Sequence, residues 1–223
     1  MKSLLVKTKK LFSEERWDID YHLPPIEIQE YNQALLKELK GCVDVITEKR
    51  NPTLEPEKTF LYVDISSIDI VTGMITNPQE LLGEEAPSRA RKVIRAGDII
   101  ISTCRPTRGA IAVVPKSLDN QICSTGFSVI RARKDVSNLY LHFILRSDVA
   151  REQFRKFSTG SSYPAILDDD VKKTIVPMPE YRRQVEIASM VTEQTKIRNK
   201  RITETNKAWE INLIEYLSQI KQM

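Results

Sequence analysis

The chain has 223 residues, with 34 lysines and arginines against 30 aspartates and glutamates and a formal net charge of +4. That size suits one compact domain with an extension, or two small domains, and the near balance of charge excludes a protein held to nucleic acid by bulk charge alone. No apolar run approaches the ~18 residues of a membrane span, Leu4, Leu5 and Val6 are too few for a signal-peptide core, and Cys42, Cys104 and Cys123 have no CxxC or Cys/His spacing, so they read as small buried hydrophobes in a reducing, cytoplasmic compartment.

In chain order, residues 1–50 read as a mixed arm punctuated by Trp17, Tyr21 and the Pro24-Pro25 pair. Ile28, Tyr31, Leu35 and Leu39 fall close to helical spacing, which predicts a helix over residues 26–39 with Gly41 as its C-cap. Residues 51–56 have loop composition. Residues 60–65 read as a strand, Thr72-Gly73 as a turn and Met74-Ile75 as a short return strand. Residues 78–87 read as a surface loop with Leu81-Leu82 as its anchor and Glu84-Glu85 in solvent.

Residues 86–115 concentrate the positive charge: Arg89, Arg91, Lys92, Arg95, Arg105 and Arg108 stand against one acid, Asp98. Ile99, Ile100 and Ile101 predict one strand and residues 111–114 another, with a turn between them that holds Arg105-Pro106 and Arg108-Gly109. Guanidinium groups on a rigid turn suit phosphate oxygens and guanine edges. Arg89 and Arg91, two apart, share a face if extended; they read as phosphate contacts or as a solvated surface. Residues 103–108, with Arg105, Thr107 and Arg108, are the leading DNA-contact candidates, although Arg105 reads equally as a buried ion-pair partner holding the loop. Asp98 reads as a turn-former. Ser124 and Thr125, ahead of Gly126, are candidates for a phosphate contact through backbone N–H groups; a plain turn explains them as well.

Ser137-Asn138 predicts the cap of a helix running to about Arg146 with Leu139, Phe143 and Ile144 inward. A second helix near residues 148–157 places Arg151, Arg155 and Lys156 on a wet face. The hydroxyl-rich loop 158–163 offers Ser161, Ser162 and Tyr163 to a nucleic-acid backbone and sugar. Asp168, Asp169 and Asp170 lack the alternation and central glycine of a calcium loop, so Asp168 is expected as the N-cap of a short helix.

Residues 180–222 contain neither glycine nor proline, enough for a helix of ~60 Å. Apolar positions form two groups: Ile187, Met190, Val191, Ile197 and Ile202, then Trp209, Leu213, Leu217 and Ile220 at spacings of four, four and three. The stretch between is poor in apolar residues. Such a helix needs a partner for its seam; the other arrangement folds it back on its own domain.

Five runs in order, APSRAR (86–91), AGDIIISTCRP (96–106), STGFSVIR (124–131), TGSSYPAI (159–166) and IVPMPEYRRQVEIA (175–188), resemble the specificity subunits of type I restriction–modification systems. The resemblance extends from about residue 59 to the end. It implies an α+β chain: one mixed α/β target recognition domain with a twisted sheet over residues 1–178, on which the arm 1–50 packs, then a long helix over 179–223 that pairs as an antiparallel coiled coil. A full-length member carries two recognition domains and two such helices. This chain has no second APSRAR-like or PMP-like run, so it reads as a half-length subunit that forms a homodimer on a split palindromic site, or as a piece of a longer protein. Ile202, Trp209, Leu213, Leu217 and Ile220 are then the dimerisation residues. The resemblance also implies double-stranded DNA, modification (methyltransferase) subunits and restriction/translocase subunits as partners. S-adenosylmethionine and ATP with magnesium belong to those partners, and no cofactor or metal to this chain.

Catalytic motifs are missing from the sequence. There is no Asn/Asp-Pro-Pro-Tyr/Phe run, no P-loop and no GxSxG, and His22 and His142 have no Cys or acid at ligand spacing. Glu38-Leu39-Lys40 lies on an expected helix without a preceding strand carboxylate. The competing reading is a dimerising scaffold whose basic face has another purpose, or a metal-dependent nuclease with an unrecognised site.

Overall fold

Residues 17, 19–23, 26–160 and 162–221 are described by the computed structural model, so the Pro24-Pro25 pair and Ser161 lie outside the described residues. The chain forms α1 (Ile19–His22), α2 (Ile26–Gln29), β1 (Leu36–Glu38), β2 (Val43–Val45), β3 (Thr59–Val63), β4 (Ile68–Asp69), β5 (Met74–Ile75), β6 (Gln79–Leu82), β7 (Ala90–Ile94), β8 (Ile99–Ser102), β9 (Ile111–Val113), β10 (Gln121–Ser124) and β11 (Phe127–Ala132). There follow α3 (Asn138–Arg146), α4 (Asp148–Phe157), α5 (Asp168–Lys173), β12 (Ile175–Pro177) and α6 (Tyr181–Lys221). The architecture is α+β, as expected, but the expected single twisted sheet is two four-stranded sheets and two short ribbons. One sheet has the order β6–β3–β10–β7, with β3 and β10 parallel and the other pairs antiparallel. The other has the order β2–β11–β8–β9 and is antiparallel throughout. The ribbons are β4–β5 and β1–β12.

Strand alternation distributes the apolar residues between two cores. On β8, Ile99 and Ile101 join Leu141, Leu145, Phe154 and Val176 beneath the helices, while Ile100 turns to the other face with Val63, Phe127 and Val129. All three isoleucines are fully buried, and each contributes about 1.5–3 kcal/mol by leaving water. Buried glutamines tie the helices to the sheets. Gln153 on α4 donates to the Ile175 carbonyl (2.7 Å) and accepts from the Ile175 N–H (2.8 Å), so it extends the β12 ladder sideways. Gln184, at the root of α6, accepts from the Ser137 N–H (2.9 Å) and donates to the Pro179 carbonyl (2.8 Å). Ser137 caps α3 as expected, its hydroxyl accepting from the Tyr140 N–H at 3.3 Å.

Several local expectations give way to tertiary pairing. Residues 26–39 do not make one helix: α2 ends at Gln29, Asn32 caps a single 3₁₀ turn, and residues 36–38 pair with β12. The four-residue spacing of apolar side chains is overridden by an open strand edge that takes up these backbone groups, and Gly41 closes a second 3₁₀ turn instead of an α-helix. Residues 78–87 are not all loop, because β6 completes the edge of β3. On α3 the buried residues are Tyr140, Leu141, Ile144 and Leu145, whereas Leu139 and Phe143 are exposed. Asp168 does not cap α5: Leu167 holds the N-cap position and its N–H is taken by the Asp170 carboxylate at 2.8 Å. Cys42 and Cys123 are buried as expected, but Cys104 is exposed.

Helix α6 runs 41 residues and buries only Gln184 and Ala188 fully. From Lys200 onward every described residue is exposed, Ile202, Trp209, Leu213, Leu217 and Ile220 among them. The helix therefore does not fold back on its own domain. Among the described residues, no helix is long and apolar enough to cross a membrane.

Asp98 is a turn-former and more. Its carboxylate is 1% exposed, accepts from the Arg95 N–H (2.9 Å) and receives both Nε (2.7 Å) and Nη2 (3.0 Å) of Arg131. These bonds fasten the start of β8 to β11. Replacing Asp98 by Ala strands the guanidinium and the amide, at a cost of about 2 kcal/mol because Arg131 keeps partial access to water. Thermal unfolding should then fall by roughly 4–8 °C, with Asp98→Asn losing less.

Candidate nucleic-acid interface

The turn between β8 and β9 is shaped by its own sequence. Pro106 is buried and begins a 3₁₀ turn over Pro106–Arg108, entered by Arg105 at φ 48° and left by Gly109 at φ 76°. Both flanking residues adopt left-handed backbone, which glycine takes freely and arginine does not. Arg105 is held there from outside: its N–H donates to the Pro164 carbonyl at 2.7 Å, and its guanidinium lies 4.9 Å over the Tyr163 ring. The loop carrying Tyr163 is itself laid on the end of β8. Ile166 N–H donates to the Thr103 carbonyl (3.0 Å), and Thr159 and Ala165 exchange backbone hydrogen bonds of 2.9 Å.

Beside this turn opens a cleft of about 760 Å³ lined by Ile65, Ser66, Ile68, Ile70, Arg89, Cys104, Arg105, Arg108, Ala110, Tyr163 and Pro164. Four candidates named from the sequence, Arg89, Arg105, Arg108 and Tyr163, thus meet in one place. No ion pair among the described residues uses Arg89, Arg105 or Arg108. Arg105 is half-buried and stacked on an aromatic ring, so the expectation of a buried ion pair at that position is replaced by a cation–π contact. Thr107 is exposed on the same turn; Thr125 is exposed beside Arg89 and donates its N–H to the Arg89 carbonyl at 2.8 Å. Ser162 is exposed, and Tyr163 is 78% exposed.

Two candidates are not presented to a ligand in this way. Ser124 is fully buried, its hydroxyl accepting from the Gly126 N–H at 3.2 Å. Arg91 is the residue skipped where β7 pairs with β10, between Ala90 opposite Ser124 and Lys92 opposite Cys123, and its guanidinium donates to the carbonyls of Ala90 (2.8 Å) and Pro87 (3.2 Å). Lys92, the next basic residue, points inward and donates to the Phe127 carbonyl at 2.6 Å.

The far wall of the cleft was not legible from residue types. It comes from the 3₁₀ turn Ile65–Ser67 and the β4–β5 hairpin that follows, whose tip is clamped by Arg146 of α3. Arg146 donates to the carbonyls of Ile70 (3.0 Å), Val71 (2.8 Å) and Thr72 (3.0 Å). Burial holds this guanidinium below its ordinary pKa, and the acid nearest in effect, Asp69, opposes that fall. Behind the hairpin, His142 sits 3.1 Å from the Ile111 carbonyl, and burial pushes its pKa down to about 4, so it stays neutral at physiological pH. The one sequence signal was the Thr72-Gly73 turn; the pairing with Arg146 spans more than seventy positions and leaves no local trace.

Among the described residues no group of three or more His, Cys, Asp or Glu is placed to hold a metal ion. The three aspartates of α5 have other uses: Asp170 caps, Asp169 pairs with Lys172, and Asp168 lies 3.8 Å from Lys92. Burial raises the Cys123 thiol to about 12 and raises the Cys42 thiol as well, so neither is a thiolate ligand at neutral pH.

The sequence profile described as "Type I restriction modification DNA specificity domain" matches residues 67–208. The type I restriction enzyme HindI specificity subunit of Haemophilus influenzae is 31% identical over 112 residues, covering 49% of this chain and 24% of that subunit. The crystal structure of the HsdS subunit from Thermoanaerobacter tengcongensis is 42% identical with a TM-score of 0.68, covering 79% of this chain and 46% of that one. A second solved structure, from work on complex assembly and conformational transition of the type I R-M system, is 43% identical with a TM-score of 0.68, covering 74% of this chain and 43% of that one. The chain therefore spans about a quarter of the matched curated relative and less than half of the solved structures.

Cys104 gives a direct probe of the cleft. In the native protein a thiol-alkylating reagent should modify Cys104 first, with Cys42 and Cys123 reacting only after unfolding, as read by peptide mass spectrometry. Duplex DNA bound at the cleft should slow that reaction; unchanged labelling at saturating DNA would move the interface elsewhere.

Proposed function

Because this chain belongs to the family of type I restriction–modification DNA specificity domains, whose specificity subunits are non-catalytic, we propose that it reads one half of a split DNA site and positions methyltransferase subunits there. The observation that carries this reading is the cleft itself. Arg89, Arg105 and Arg108 converge on it, none of them spent on an ion pair among the described residues, the latter two from a turn fixed by Pro106 and by the Tyr163 loop. Guanidinium groups on a rigid mount are suited to bidentate bonds with guanine O6 and N7 and to phosphate oxygens. Phosphate contacts set the register of the protein on the duplex, and base contacts select the sequence.

In this reading residues 1–178 are the recognition domain and residues 179–223 the spacer. The exposed seam of Ile202, Trp209, Leu213, Leu217 and Ile220 takes the same helix of a second copy, antiparallel. Two-fold symmetry of the pair then calls for a palindromic site in two halves. Modification subunits, and restriction/translocase subunits with them, bring the chemistry; S-adenosylmethionine and ATP with magnesium are bound there. The protein acts in the cytoplasm, where its DNA and partners are.

Selection from random duplexes by the chain with its methyltransferase subunits, at about 0.15 M salt because phosphate affinity depends steeply on it, should recover a split palindrome. Changing Arg105 and Arg108 together to Ala should abolish the selection, with a loss of about 1–3 kcal/mol per base-reading arginine and an unchanged melting temperature. Where either arginine holds phosphate instead, the salt slope should drop by about one per residue. Selection unaltered in the double variant removes the cleft from the reading. Glutamate at Leu213 and Leu217 should give monomers in sedimentation at intact melting temperature; a persistent dimer excludes the helix seam as the contact.

A further inference from the structure

The cleft combines two chemistries, and phosphate accounts for only one of them. Arg89, Arg105 and Arg108 suit anionic oxygens, but the lining also holds carbon: Ile65, Ile68, Ile70 and Ala110. Ile68 is 5% exposed and belongs to the core beneath. Ile70 is 53% exposed, stands at the hairpin tip and packs in none of the buried clusters. A single exposed isoleucine means little by itself. Here the backbone around it is tied by several hydrogen bonds. Arg146 donates to its carbonyl and to the next two. The Asp69 carboxylate accepts from the Val71 N–H and the Thr72 hydroxyl, both at 2.8 Å, and Gly73 N–H donates to the Asp69 carbonyl at 2.7 Å. Gly73 has φ +70°, and a Cβ there would lie 2.7 Å from the Arg146 guanidinium, so the turn is built around that group. The result is an apolar side chain held out beside three arginines on a mount that loses little further freedom on binding.

Deoxyribose puts carbon beside every phosphate but carries no sequence, so apolar contact selects bases only at their edges. In the major groove the base edges are donors and acceptors except at the pyrimidine C5 position, where thymine carries a methyl group. We propose that Ile70 is a specificity-determining residue that packs on a thymine methyl in the major groove of the recognised half-site, with the arginines of the same cleft on neighbouring phosphates or base edges. The inference deepens the DNA-reading function proposed above and rests on it.

Deoxyuridine differs from thymidine only by that methyl, so it isolates the contact. The site recovered by duplex selection is remade with each thymine in turn replaced by deoxyuridine, and binding of the complex with its methyltransferase subunits is measured at constant salt. One replacement should weaken the wild-type complex about fourfold, the worth of one buried methyl-sized group. The same replacement should leave Ile70→Ala unaffected, while Ile70→Val keeps part of the response. Equal sensitivity of wild type and Ile70→Ala at every thymine, or no sensitivity in either, overturns the assignment. So does a gain on placing 5-methylcytosine at one cytosine without a loss at any thymine, which assigns the wall to a different base. Conversion of a dimer to a monomer by Ile70→Ala also overturns it, since the side chain then belongs to a contact between copies. If no sequence is recovered at all, the DNA-reading function fails with it; a recovered site indifferent to deoxyuridine removes the Ile70 contact alone.

Discussion

Three successive isoleucines leave β8 no face for water, and much of the molecule follows from that. A strand buried on both sides needs a layer on each: α3, α4 and β12 supply one, the β3–β10 sheet the other. Its start is fastened to β11 by the Asp98–Arg131 pair, and its end passes directly into the arginine turn. The arginine turn is thus the continuation of a strand buried along its whole length. That location suits a loop that must hold guanidinium groups still, because a site inherits the rigidity of the element that carries it.

The parts of the fold legible in the sequence are those set by local patterning. The isoleucine run, the Ser137 cap, the helix 148–157, the Met74-Ile75 return strand and the long final helix all rest on signals within a few residues of themselves. The parts misread are those where a distant edge decided the outcome. Residues 36–38 are a strand because β12, some 140 positions later, needs a partner, and β6 exists because β3 presents an edge. Of the candidate site, the arginines and Tyr163 were visible by type and by neighbouring Gly and Pro. Their convergence was not, since Arg89, Arg108 and Tyr163 come from three separate connections. Arg91 is the extra residue of β7 where that strand pairs with β10, and nothing in its own neighbourhood announces this. The apolar wall at Ile65–Ile70 had no chemical signature, because isoleucine reads as core wherever it occurs.

Arg146 shows how much one long-range contact organises. It satisfies three consecutive carbonyls at the tip of a β-hairpin whose strands are only two residues long. On one side of that hairpin lies the cleft; on the other, Val71, Thr72 and Met74 line a second cavity of about 540 Å³ shared with Leu139, Phe143 and the stretch of α6 from Ala188 to Asn199. Arg198 of α6 reaches the Val71 carbonyl as well, at 3.4 Å. The hairpin therefore borders the arginine cleft through Ile68 and Ile70 and the cavity beside α6 through Val71, Thr72 and Met74.

The burial pattern along α6 divides the chain into two thermodynamic regimes. Up to about Asn199 the helix leans on α3 and the hairpin, and its amides share the stability of the core. Beyond Lys200 it has only its own hydrogen bonds, and an isolated helix of that length is marginal in water. Its order is then supplied by whatever lies against it. If that is a second copy, protection of the backbone amides in residues 200–221 from hydrogen exchange becomes a function of protein concentration, while the domain that precedes them remains indifferent to dilution.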